Sequence, residues 1–80
     1  MKAEAKIEIL DNYLIEKAIR LNKMMKINEK AYQQAKTKKD KSEFKEGAIL
    51  FRARWATVMD IIEHEGIEEK YYEALIKELD

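Results

Sequence analysis

The sequence contains no cysteine and no proline, and only two glycines, Gly47 and Gly66. Without cysteine there is no disulfide or thiolate zinc site to brace a small fold, and nothing points to an oxidising compartment. Without proline, and with glycine so scarce, few positions can interrupt a helix. No apolar run approaches the roughly 18 residues that a membrane span needs. The opening stretch Met1-Lys2-Ala3-Glu4-Ala5-Lys6 lacks the apolar centre of a signal peptide. The expected address is therefore the cytoplasm. Serine and histidine occur once each, as Ser42 and His64.

What remains is 40% charged and rich in Ala, Ile and Leu, the composition of helices with one wet face rather than of a sheet. Eighty residues make one domain near the lower size at which a single core holds unaided. Extra burial through self-association is the expected supplement. The net charge of zero conceals a strong separation. Residues 17–54 carry twelve Lys or Arg against four Asp or Glu, whereas residues 55–80 carry two against eight. Such a dipolar chain can pair with copies of itself or present a basic region to an anion, although ordinary solvated helix faces account for the same charges.

Apolar spacing predicts a first helix over about 3–36. Its stripe is Ile7, Leu10, Leu14, Ala18, Leu21, Met25, Tyr32 and Ala35, in steps of three, four and seven. Asn28 interrupts that stripe, as a register-setting polar residue does. Ile9, Tyr13, Ile15 and Ile19 lie around other sides of the same cylinder. One antiparallel neighbour cannot cover them all, which calls for a third helix, a second subunit or both. A turn at about 37–40 follows, with Asp40 and Glu43 in the spacing of a capping box, so the second helix is expected from 41 to 65. Phe44, Ala48, Phe51, Trp55, Val58 and Ile62 form its heptad seam, with Leu50 and Ile61 to one side. Gly66 reads as a left-handed cap. A third helix is expected over about 67–79, carrying Ile67, Tyr71, Tyr72, Leu75, Ile76 and Leu79. The fold class is thus all-α: an antiparallel helical hairpin plus a short C-terminal helix, assembled as a homo-oligomeric helical bundle. Ile9, Ile15, Ile19, Leu50 and Ile61 are the expected oligomer interface.

The residues needed for catalysis are sparse. Asp60 and His64 sit one turn apart, but two ligands do not make a metal site, for which three or four are needed. Ser42 lies far in sequence from His64, there is no Gly-rich phosphate loop, and helices of this length offer no evident pocket for a carboxylate pair. The expectation is a protein without catalytic residues, cofactor or metal. Two groups of residues suit binding instead. Lys38, Lys39 and Lys41, with Lys36 and Lys45, make a basic hairpin end that attracts phosphates. Arg52 and Arg54 flank Trp55, and with Tyr13 and Tyr32 they offer guanidinium forks and aromatic faces to a small nucleotide between subunits. A simpler account of the same residues makes Trp55 core and the arginines interface ion pairs.

Two segments carry a likeness to a known group. A Lys-rich first helix ends in Ala31-Tyr32-Gln33-Gln34-Ala35-Lys36, and the stretch Phe44 to Glu65 closes with Val58-Met59-Asp60-Ile61-Ile62-Glu63. The chain resembles the small helical-hairpin proteins of phages and mobile elements of Gram-positive bacteria. That resemblance implies a compact inhibitor in the host cytoplasm, of the kind that blocks host defence, and some such proteins sequester cyclic-nucleotide signals between subunits. It transfers no individual functional residue. The expected function is a non-enzymatic, phage-type inhibitor that binds and blocks a host protein. The alternatives are an oligomeric sponge for a small nucleotide, and nucleic-acid binding through the basic hairpin end.

Overall fold

The computed structural model describes residues 3–79, and the side chains of residues 9–78. The described chain is helical, with three elements: α1 (Ala3–Gln34), α2 (Lys38–Glu65) and α3 (Glu68–Leu79). Ile7, expected on the α1 stripe, and Leu79, expected on α3, fall outside the described side chains.

Only Ala35, Lys36 and Thr37 separate α1 from α2, and so short a connection folds the second helix back along the first. The sequence-based start of α2 at Lys41 is three residues late. The N-cap is Thr37, not Asp40. Thr37 is extended (φ −110°, ψ 153°), and its hydroxyl accepts from the Asp40 amide at 3.1 Å. Asp40 thus lies inside the first turn, where its charge suits the positive end of the helix dipole.

The other end of α2 stops as its sequence suggests. Gly66 is left-handed (φ 72°, ψ 30°), its amide donates to the Glu63 carbonyl, and the Ile67 amide donates to that of Ile62. These are the paired bonds of a Schellman cap, and the accompanying apolar contact is present because Ile62 and Ile67 are both core residues. The chain then reverses into α3, which lies beside residues 12–23 of α1. Ala74 and Leu75 pack against the core there, and Lys23 pairs with Glu78.

The core comprises Ile15, Ala18, Ile19, Leu21, Val58, Met59, Ile62, Ile67 and Tyr71, with Leu14, Phe51, Trp55, Ala74 and Leu75 packed against it. The buried polar residues Asp11 and Asn22 lie in the same zone. This placement corrects part of the expected subunit interface. Ile15 and Ile19 are buried within the chain because α3 covers them, whereas Ile9, Leu50 and Ile61 remain exposed. Leu10, expected on the buried stripe, is 60% exposed, and Tyr32 is also exposed.

Every buried side chain among those described belongs to residues 11–22 or 58–71. The remainder of the hairpin, residues 23–54, is a two-helix arm without a third layer, and it lengthens the molecule to 54 × 25 × 19 Å. The arm is held together by half-buried Met25, Ala31, Ala35, Phe44, Ala48 and Phe51, and by a close approach at Asn28 and Gly47.

Candidate functional site

On α1, Ile15 and Ile19 turn toward α3. Lys17, two residues from each, is about 200° around the helix from both and therefore lies on the flank that α3 leaves open. Tyr13, Lys17 and Arg20 line a cleft of about 480 Å³ there, together with Glu16 and Leu21 of α1 and Arg54, Thr57 and Val58 of α2. Among the described lining residues three cations face a single carboxylate, a positive excess that suits anions. The Lys17 ammonium sits 5.7 Å from the centre of the Tyr13 ring, close enough for the ring face to stabilise the charge. The Thr57 hydroxyl donates to the Ala53 carbonyl at 3.0 Å, which leaves its lone pairs as what it offers the cleft.

Of the residues singled out from sequence, Tyr13 and Arg54 meet here. Arg52 does not, because it too is about 200° around its helix from Arg54 and is exposed on another side of α2. Trp55 packs against the core, and its indole N–H donates to the Tyr71 hydroxyl at 3.1 Å. Lys17, Arg20 and Thr57 went unnoticed in the sequence. For Lys17 and Arg20 the signal was the i, i+4, i+7 spacing from Tyr13, which puts the three on one flank of α1; Thr57, on α2, had none.

The other residues named for ligand or partner binding belong to the arm. Tyr32 borders a smaller pocket of about 200 Å³ with Glu29, Gln33, Lys45, Ala48 and Ile49. Lys38, Lys39 and Lys41 stand exposed on the first turn of α2. Ile27 and Ile49 are 59% and 58% exposed, and Met24 and Leu50 are also open to solvent. His64 is exposed in the last turn of α2. Among the described residues no three His, Cys, Asp or Glu side chains converge as metal ligands would, and no helix is long and apolar enough to cross a membrane. The chain matches no protein-family model, no curated protein and no solved structure.

Proposed function

We propose that the protein is a non-enzymatic interaction protein, a phage-type inhibitor that binds and blocks a host protein, and that the arm is the part that engages its target. One observation carries this reading. Residues 23–54 leave Met24, Ile27, Tyr32, Ile49 and Leu50 exposed on a two-helix ribbon that buries no side chain fully. Large apolar side chains left exposed on one segment of a small domain suit a contact surface. The same segment carries ten Lys or Arg against four Asp or Glu, so two arms repel each other and an acidic partner surface fits best.

The test is co-purification from host cells with the chain carrying Ile49→Asp and Leu50→Asp. Both positions are exposed, so the helical circular dichroism should persist while the bound protein is lost. A partner that stays bound to this variant overturns the reading.

A second reading is favoured by the convergence of Tyr13, Lys17, Arg20 and Arg54 in one cleft, whose volume lies within the roughly 300–1,000 Å³ of small-ligand sites. It is sequestration of a small nucleotide. A nucleotide that raises the melting temperature of the wild type but not of Arg54→Glu supports it by linkage. Equal shifts in both remove it.

A further inference from the structure

Among the described residues, none covers the outward surface of α3. Glu69, Tyr72, Glu73 and Ile76 fall at i, i+3, i+4 and i+7, the spacing of one helix face. That face lies away from buried Tyr71. Tyr72 and Ile76 are 53% and 61% exposed, and Glu69 and Glu73 stand exposed beside them. The Tyr72 ring meets the Tyr71 ring edge-on at 5.2 Å. An acidic helix face with two apolar projections is thus presented on one side of the molecule. A basic cleft floored by Leu21 and Val58 opens on the other.

We infer that the outer face of α3 in one copy docks into the α1–α2 cleft of a second copy. The two surfaces match in charge, since Glu69 and Glu73 meet a cleft rimmed by Lys17, Arg20 and Arg54. They match in length as well. Glu69 to Ile76 and Tyr13 to Arg20 each cover seven helical steps, about 10 Å. The Tyr72 and Ile76 side chains supply the apolar part of the contact against Tyr13, Leu21 and Val58. Two clefts placed face to face would oppose cation to cation, and two α3 faces carboxylate to carboxylate. The charges therefore select the unlike pairing. Because α3 and the cleft lie on opposite sides of the hairpin, the contact runs head to tail, and copies joined this way form a ring or an open chain. Of the arm's residues the contact uses Arg54 alone, and none of the exposed apolar side chains invoked for partner binding.

Sedimentation velocity across a wide concentration range tests this with four proteins. The wild type should associate as concentration rises. Lys17→Glu with Arg54→Glu, or Glu69→Lys with Glu73→Lys, should each weaken association about tenfold or more, because like charges then face each other. All four positions are exposed, and circular dichroism reports that the helices survive. The chain carrying all four substitutions should associate again, because the charges are swapped rather than lost. A wild type that stays monomeric throughout overturns the inference. So does association that neither pair weakens, or a fourfold variant that fails to recover. The Ile49→Asp, Leu50→Asp chain should associate like the wild type, so failure of the arm reading and failure of this one are told apart.

Discussion

At the scale of single residues, Asn28 and Gly47 meet where the two helices of the arm approach each other. Gly47 sits inside α2, where glycine costs roughly 0.5–1 kcal/mol relative to alanine. A β-carbon at that position would run into the side-chain oxygen of Asn28. Asn28 is itself held, because its amide nitrogen donates to the Met24 carbonyl at 2.8 Å. The polar break in the α1 stripe thus faces a position on α2 that has no side chain. Replacing Gly47 by Ala should gain helix propensity and lose the fit of Asn28, leaving no net stabilisation. In an Asn28→Ala background the clash is gone, and the same change should stabilise by about 0.5–1 kcal/mol. Urea unfolding of the four proteins measures the difference as a coupling energy. Additive effects would mean that the two helices do not meet at these residues.

At the scale of elements, the start of α2 is where sequence and structure part. Thr37-Lys38-Lys39-Asp40-Lys41-Ser42-Glu43 offers two caps at the spacing of three. Asp40 with Glu43 is as legible as Thr37 with Asp40, and the local sequence does not choose between them. In the structure the helix begins at the earlier one and shortens the connection to three residues. Thr37→Ala should then cost about 1 kcal/mol. Asp40→Ala should cost less, about 0.3–1 kcal/mol, since Asp40 interacts with the dipole without capping the helix. If Asp40→Ala proves the costlier in urea unfolding, α2 begins at Lys41 after all. The stop at Gly66 was readable because one residue type suits a left-handed position and only one candidate was present. The crowded N-terminal half of α1 was readable as a helix needing more than one neighbour. Which neighbour covered Ile15 and Ile19 was not, because that depends on the path of α3 after Gly66 rather than on periodicity. The cleft was half legible for the same reason. Tyr13 and Arg54 stand out by chemistry, whereas Lys17 gains meaning only when α3 is seen to leave its flank open, and Arg20 borders both the cleft and a pocket beside Glu78 of α3.

At the scale of the whole molecule, charge is sorted along the long axis. The arm holds most of the basic residues, while residues 55–79 carry seven acids against two bases. Two physical causes of self-association can be separated on this basis. If the overall dipole aligns copies, the lysines at the tip of the arm matter as much as any others. If the fit of α3 to the cleft governs, they do not. At physiological ionic strength the Debye length is about 8 Å, far shorter than the 54 Å molecule, so distant charges are screened and the local fit should dominate. Replacing Lys38, Lys39 and Lys41 together by Glu reverses the sign of the tip without touching either docking surface. The self-association constant of this variant should stay within about threefold of the wild type at that ionic strength. Its capture of an acidic partner through the arm should fall steeply, because that contact uses the reversed charges directly. A triple variant that loses self-association as completely as the Lys17→Glu, Arg54→Glu pair would mean that the long-range field, not the fit of α3 to the cleft, brings copies together.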